Sequence, residues 1–416
     1  MLRFSLLPPG TQPDAKRLLA ARALRGFADG YVALLLPYYL TLAGYSALQI
    51  GFIITATLLG SGVMTLSIGL IAYRFHNRSL LSAASLLMMA TGLCMAAVTD
   101  FWPLLLVAFM GTINPSSGDV SVFLPLEQSL LTTTTSPSSR TALFARYSLI
   151  AGLAAAAGAQ AAALPALVAP WWGLTEKGAI QAMFVLYAAV GIAVLAIYRS
   201  VSPTLGADPK SAETPRAPLG PSKHRVYKLA AVFSIDAFGG GFAVQSLLAL
   251  WLYQRFGLTL AEAGTLFLCT SLLGAFSHLA ASWIAARIGL VNTMVFTHLP
   301  ANLLFILVPF MPNLALAVAC LLARSALGSM DVPARVSYVM AVVSPAERPA
   351  AASVTNVPRS LAAALSPALA GYMLTLSSFG WPLVVCGALK IVYDLTLLAM
   401  FRSVKPPEEV TAKGKT

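Results

Sequence analysis

Charge is what this chain has least of. Only 10% of its 416 residues are Asp, Glu, Lys or Arg, while 58% are hydrophobic; soluble domains carry roughly 25% charged residues. So few charges cannot cover a water-facing surface, which excludes a soluble enzyme or binding module. Cysteine is also scarce: Cys94, Cys269, Cys320 and Cys386 all fall inside apolar stretches. They show neither metal-ligand spacing nor a disulfide framework and read as small core residues. The four histidines, His76, His224, His278 and His298, are scattered and form no ligand pair along the sequence. A phosphate-binding loop and a paired nucleophile and base are lacking too. Enzyme chemistry, a metal and a cofactor are therefore not expected. Residues 1–16 include Pro8, Pro9 and Pro13 and lack an apolar run with a cleavage site, so no cleaved signal peptide is expected.

What the chain does have is long apolar runs, with a mean hydropathy of +0.79. A membrane helix needs about 20 mostly apolar residues. Twelve such segments are expected, at 19–42, 47–71, 79–98, 102–130, 140–168, 178–198, 227–254, 260–286, 290–310, 313–342, 349–377 and 381–402. The expected fold class is an all-α membrane protein with twelve transmembrane helices in two pseudo-symmetric six-helix bundles. Residues 19–199 form the first bundle and 227–402 the second. They are flanked by an N-terminal segment (1–18), a linker (200–226) rich in proline, and a tail (403–416). The net charge of +12 invites a nucleic-acid reading, but its placement argues for a bilayer. Lys16, Arg17 and Arg22, the linker's Lys210, Arg216, Lys223 and Arg225, and the tail's Lys405, Lys413 and Lys415 alternate with nearly uncharged connections. By the positive-inside rule both termini and the linker face the cytoplasm. A bacterial inner membrane, a monomer and no nucleic-acid partner are expected.

The halves repeat. Gly44-Tyr-Ser46-Ala-Leu-Gln49-Ile-Gly51 returns as Gly257-Leu-Thr259-Leu-Ala-Glu262-Ala-Gly264, and Ala72-Tyr-Arg74 as Ala285-Ala-Arg287. Ser117-Gly-Asp119-Val120 returns as Ser329-Met-Asp331-Val332, and Ser136-Pro137 with Arg140 as Ser344-Pro345 with Arg348. Four matches in one order at nearly one offset imply two similar bundles about an axis along the membrane normal.

Twelve segments in two halves, a basic central loop and cytoplasmic ends resemble the major facilitator superfamily over nearly the whole chain. The family pattern Gly-x-x-x-Asp-Arg-x-Gly-Arg-Arg between helices 2 and 3 is matched in part by Gly69-Leu-Ile-Ala-Tyr73-Arg74-Phe-His76-Asn-Arg78. Tyr73 replaces the aspartate that the resemblance implies is a cytoplasmic latch. Helix 5 has small residues from Ala151 to Gln160 but lacks the glycine-proline pair associated with drug–proton antiporters. The resemblance also implies that helices 1, 4, 7 and 10 line a cavity, that 3, 6, 9 and 12 lie outermost, and that helices 5 and 11 pack against the opposite half.

Ionisable groups at membrane depth are costly and default to functional candidates. Asp29 on helix 1 and Asp236 on helix 7 occupy broadly corresponding places and are the proton-coupling candidates. Arg146 and Gln160 on helix 5, Gln245 on helix 7, and Asn356 and Arg359 on helix 11 are the substrate-binding candidates. Glu127, Arg140, Arg335 and Arg348 near the cytoplasmic helix ends, with Arg74 and Arg287 in the loop motif, are gating or structural candidates. Asp119 and Asp331, as repeat equivalents, read as shared architecture. Arg25 starts one turn inside the membrane edge and is expected to snorkel. Lys390 and Asp394, spaced i, i+4, are expected to pair. Gly239-Gly240-Gly241 either breaks helix 7 or admits a close neighbour. Tyr38, Tyr39, Phe233 and Trp251 would give an apolar wall.

The resemblance implies a secondary transporter that moves a small organic solute by alternating access, with protons as coupling partner and export slightly favoured. The alternatives are a symporter that clamps an anionic metabolite between Arg146 and Arg359, and a non-transporting membrane sensor.

Overall fold

A computed structural model describes residues 7, 11–71, 75–116, 121–136, 139–202, 205, 219–344 and 347–404. Among them are sixteen α-helices and no strand. In order these are α1 (Asp14–Leu42), α2 (Ala47–Ile71), α3 (Asn77–Ala97), α4 (Phe101–Met110), α5 (Phe123–Thr133), α6 (Arg140–Ala161), α7 (Leu164–Trp172) and α8 (Glu176–Ser200). Then come α9 (Lys223–Gly241), α10 (Gln245–Phe256), α11 (Leu260–Ile288), α12 (Leu290–Leu307), α13 (Leu314–Gly328), α14 (Asp331–Ala341), α15 (Arg348–Leu376) and α16 (Trp381–Phe401). Taking α4 with α5, α6 with α7, α9 with α10 and α13 with α14 leaves twelve segments. Eight described spans are long and apolar enough to cross a bilayer, nine with the bent pair α6 and α7.

Four expected helices are broken. The helix expected at 102–130 stops at Met110 and resumes at Phe123. Gly111 is extended there, and the Asn114 side chain accepts bonds from the Ser116 N–H and hydroxyl. Such a side-chain turn competes with helix. Helix 5 bends by 42° between Ala161 and Leu164. Helix 7 stops at Gly241, and helix 10 is interrupted at Ser329 and Met330. Arg324 therefore lies on a different helix from Asp331 and Arg335. Two boundaries also move: α1 begins at Asp14, inside the expected N-terminal segment, and α9 at Lys223, inside the expected linker.

The chain divides into two compact units. The first contains residues 1–211 and 258–268, the second 212–257 and 269–416. The first turns of α11 thus cluster with the first unit.

The strongest sequence repeat is a stop-and-start device. Gly44 and Gly257 take positive φ values of 87° and 63°, which glycine adopts without a Cβ penalty. Next comes a capping box in each copy. Ser46 Oγ accepts from the Gln49 N–H while the Ser46 N–H donates to Gln49 Oε1. Thr259 and Glu262 make the same reciprocal pair.

Small residues bring two helix pairs into backbone contact. A Cβ on Gly30 of α1 would clash with the Ala155 carbonyl of α6, and one on Gly158 of α6 with the Phe27 carbonyl of α1. In the second unit a Cβ on Gly241 of α9 would clash with the Ala363 carbonyl of α15. The triple glycine therefore does both things expected of it: α9 ends there, and a neighbour approaches closely. The small-residue run of helix 5 serves α1 through Gly158, while Ala159 meets Gly264 at the start of α11.

Candidate functional site: two buried ion clusters

In the first unit, Arg25 of α1 pairs with Glu127 of α5. The snorkelling expected of Arg25 does not occur: Arg25 is 2% exposed and Glu127 is fully buried. Arg25 also lies 4.2 Å over the Phe123 ring and donates to Ser121 Oγ at 3.4 Å. Glu127 is closed off by two phenols. Tyr147 of α6 donates to Oε2, and Tyr198 of α8 donates to Oε1 at 2.6 Å. Glu127 thus joins α1, α5, α6 and α8, and its ion-pair partner is Arg25 of its own unit. Asp29, one turn beyond Arg25, is buried.

In the second unit, Asp236 of α9 holds two cations. Lys390 Nζ of α16 reaches Oδ1 at 2.5 Å, and Arg335 Nη1 of α14 reaches Oδ2 at 3.1 Å. Arg335 Nη1 also bonds Asp331 Oδ2 at 3.2 Å. These groups tie α9, α14 and α16 together. The expected pairing of Lys390 with Asp394 is corrected. Lys390 serves Asp236, and Asp394 turns to His298 Nδ1 of α12 at 2.9 Å and to Asn302 Nδ2, also at 2.9 Å. Side chains at i and i+4 share a helix face, but each finds a better-placed partner on a neighbouring helix. The sequence reading missed His298, Asn302, Tyr147 and Tyr198. For the first two a signal existed, since a histidine and an asparagine four apart in an apolar helix share one face.

The units correspond with a changed register. Gly30 and Gly241 are 211 residues apart, and their contacts Ala155 and Ala363 are 208 apart. Arg25 and Asp236 are also 211 apart, and Glu127 and Arg335 are 208 apart. The partner of Asp236 in the repeat is therefore Arg25 rather than Asp29, which stands opposite Gly240. The same shift sets Arg359 opposite Ala151, so Arg146 and Arg359 sit on corresponding helices at different depths.

The remaining candidates are more dispersed. Arg146 is half-buried, and its Nη1 has no hydrogen-bond partner among the described residues. Gln160 is exposed and accepts from Thr265 Oγ1 at 3.3 Å. Gln245 opens α10 and is half-buried, whereas Asn356 is exposed on α15. Arg359 is half-buried with its Nε unpartnered among the described residues. Arg287 is exposed and lies 3.6 Å over the Trp283 ring. Arg74 and Asp119 lie outside the described residues, as do the side chains of Arg140 and Arg348. Of the expected apolar wall, Tyr39, Phe233 and Trp251 are core residues. Tyr39 packs edge-on to Phe184, Phe233 underlies Arg335 at 5.7 Å, and the Trp251 indole donates to the Ser378 carbonyl. Tyr38 donates to Glu176.

Broken helices joined by buried ions, in two units of like construction, define a polytopic membrane protein of transporter type. A family profile, the Major Facilitator Superfamily, matches residues 18–330, and the chain belongs to that superfamily. It is 25% identical to the uncharacterized membrane protein YJR124C of Saccharomyces cerevisiae, over 94% of each chain. Its fold is similar to that of a variant of the nucleoside transporter NupG, with TM-score 0.74, 13% identity and coverage of 93% of this chain and 100% of that one. It is also similar to an inward-facing, occupied bacterial homolog of the human lysosomal transporter Spinster. There the TM-score is 0.72 and the identity 16%, over 94% and 96% of the two chains.

Proposed function

We propose that this protein is a secondary active transporter that carries a small organic solute by alternating access, coupled to protons. The observation that carries the reading is a pair of buried, hydrogen-bonded ion clusters in the two units of a transporter-family fold. Buried charges are costly to keep and costly to separate. A group that gains or loses a proton there changes which helices hold together. Asp29 is the proton site in the first unit: it is buried on α1, one turn beyond Arg25. In the second unit, protonation of Asp236 would release Lys390 and Arg335 from their shared carboxylate. Glu127 and Asp331 serve as anchors of the clusters. Both termini and the linker face the cytoplasm, on the placement of their basic residues.

The test is solute uptake into proteoliposomes under an imposed pH gradient. Wild-type protein should accumulate solute. Asp29→Asn should lose accumulation while keeping exchange of labelled for unlabelled solute. An Asp29→Asn variant with the wild-type pH dependence would remove Asp29 from the coupling. Asp236→Asn is the parallel variant for the second unit.

A further inference from the structure

One helical acid of the second unit is paired with a histidine alone. Asp236 holds Lys390 and Arg335, and Asp331 holds Arg335. Asp394 of α16 is buried too, and its ion-pair partner among the described residues is His298 of α12. An arginine keeps its charge in proteins, whereas an imidazole gains and loses its charge between about pH 5 and pH 8. The charge of Asp394 is therefore matched only while His298 is an imidazolium.

The geometry assigns the two ring nitrogens. His298 and Asn302, four residues apart, share one face of α12. His298 Nδ1 lies 2.9 Å from Asp394 Oδ1, and Asn302 Nδ2 lies 2.9 Å from Oδ2. A carboxylate only accepts, so the proton of the first bond sits on Nδ1. Asn302 Nδ2 is also 3.2 Å from Nδ1, but a donor gains nothing from a nitrogen that already carries a proton. The amide therefore serves the carboxylate, and the free lone pair of a neutral ring is on Nε2. Nε2 has no hydrogen-bond partner among the described residues. Tyr393, next to Asp394, packs edge-on to the imidazole at 5.9 Å, and its buried hydroxyl lacks a partner among those residues too.

No other ionisable group on the helices packed against α12 is bonded to His298 or Asp394 among the described residues. On α14, Arg335 holds Asp331, and Tyr338 donates to the Val404 carbonyl. On α16, Lys390 holds Asp236, and Cys386 is a free thiol. On α13, Cys320 is a free thiol, and Arg324 stacks on Phe305, about two turns along α12 from His298.

We infer that His298 and Asp394 form a proton-binding site at the contact of α12 and α16, separate from the Asp236 cluster. The ligand is one proton, taken at Nε2 of His298. Asp394 and Asn302 are positioning residues, and Asp394 holds the ring by Nδ1. With the proton bound, the pair is a buried imidazolium–carboxylate bond without net charge. Without it, a buried carboxylate is left with two neutral donors, which is costly at membrane depth. Proton uptake thus ties α12 to α16 more firmly. The use of this proton in coupling rests on the transporter reading. Asp236 must release its cations to take a proton, whereas His298 takes one with every bond kept.

The test reads the imidazole itself. Full-length protein with ¹⁵N-labelled histidine is reconstituted in nanodiscs, and the ring nitrogens are followed by NMR from about pH 5 to pH 9. The combined changes His76→Gln, His224→Gln and His278→Gln leave His298 as the one signal and do not touch the pair. One titration step at Nε2 is expected, with Nδ1 protonated on both sides of it. Asp394→Asn should abolish the step, leaving the ring neutral, and Asp394→Glu should bring part of it back. A ring that keeps one charge throughout, or a neutral form with its proton on Nε2, overturns the site. So does a step that Asp394→Asn leaves in place. Should the Asp394 variants fail to fold, the Nδ1 and Nε2 signals of the protein with His298 alone decide. A titrating His298 without proton-driven uptake into proteoliposomes would remove the transporter reading and leave the site standing. Proton-driven uptake with a His298 that does not titrate would do the reverse.

Discussion

The two units solve one structural problem with opposite signs. In the first, the base is on the first segment and the acid on the fourth, as Arg25 and Glu127. In the second, the acid is on the seventh segment and the base on the tenth, as Asp236 and Arg335. The backbone asks for a charged bond at this place and is indifferent to its polarity. What surrounds the pair differs more. Glu127 is finished by two neutral phenols, Tyr147 and Tyr198, which leave the cluster charge-balanced. Asp236 is finished by a second cation, Lys390, and Arg335 by a second acid, Asp331. The first cluster is a compact network centred on Glu127, in which one buried donor, Arg25 Nε, lacks an acceptor among the described residues. The second is a chain of ion pairs in which Asp236 and Arg335 each hold two partners. The division that follows is between a cluster centred on one ion pair and a cluster of linked ion pairs.

The largest expected effect tests that division. Glu127→Gln leaves Arg25 buried without its ion-pair partner, and breaking one side of a buried pair costs about 3–5 kcal/mol. Arg335→Gln should cost less, because Asp236 keeps Lys390. Thermal unfolding of the purified protein, followed by fluorescence size exclusion, should show the larger drop for Glu127→Gln. Equal losses would erase the contrast between the two clusters. Polarity itself is tested by the double variant Arg25→Asp with Glu127→Arg, which copies the second unit into the first. It should recover a substantial part of the stability lost by either single change. Failure to recover would show that the phenols of Tyr147 and Tyr198 fix the sign.

This correspondence explains what the sequence could and could not show. The connector repeat was legible because helix stops and capping boxes use few residue types, so Gly44-x-Ser46 and Gly257-x-Thr259 look alike. The twelve apolar segments were legible from length alone. The breaks inside four of them were not read from length, although at one of them Asn114-Pro-Ser-Ser-Gly-Asp119 carries a turn-forming composition. The charge-reversed pairs were hidden for a different reason. A search for repeats matches like with like, so it set Asp29 against Asp236. Insertions and deletions between segments also change the offset along the chain from 211 to 213 and then to 208, which moves each candidate off its true counterpart. Pairing partners were harder still. Lys390 and Asp394 satisfy a helical spacing rule, but each bonds to a different neighbouring helix.

A smaller effect is expected where the outer helix pairs differ. In the first unit α3 and α8 meet through glycine. A Cβ on Gly92 would clash with the Phe184 carbonyl and the Ala188 N–H, and one on Gly191 with the backbone of Met89. Ser85, 213 residues before His298, bonds only back to the Leu81 carbonyl of its own helix among the side-chain bonds described. In the second unit α12 and α16 are bridged by His298, Asn302 and Asp394. Asp394→Leu removes the acceptor of two buried donors and should cost about 1–3 kcal/mol, whereas Ser85→Ala should change the thermal midpoint little. If both changes are silent, the triad is not what holds the outer pair of the second unit.

The smallest expected effect concerns the place where the linker rejoins the second unit. Glu347, just before α15, takes hydrogen bonds from the Ser344 and Ser222 hydroxyls on Oε2 and from the Gly220 N–H on Oε1. Donation by Ser344, then by the Gly220 backbone and Ser222, holds its carboxyl at about 2, below its ordinary value. The first unit has Ser139 at the corresponding position, 208 residues earlier. There the pinning is done by backbone instead, with the Gln12 N–H donating to the Thr134 carbonyl. A depressed carboxyl contributes its full stabilisation above the unfolded value of about 4.3 and loses it as pH falls through the folded value. Between roughly pH 4 and pH 2, therefore, amide exchange at Gly220 to Lys223 should speed up, while exchange around Gln12 should keep its ordinary pH dependence. Glu347→Gln should remove that acid step and leave transport at neutral pH within about twofold. An unchanged acid profile in Glu347→Gln would assign the step to another carboxylate and leave the two pins equivalent.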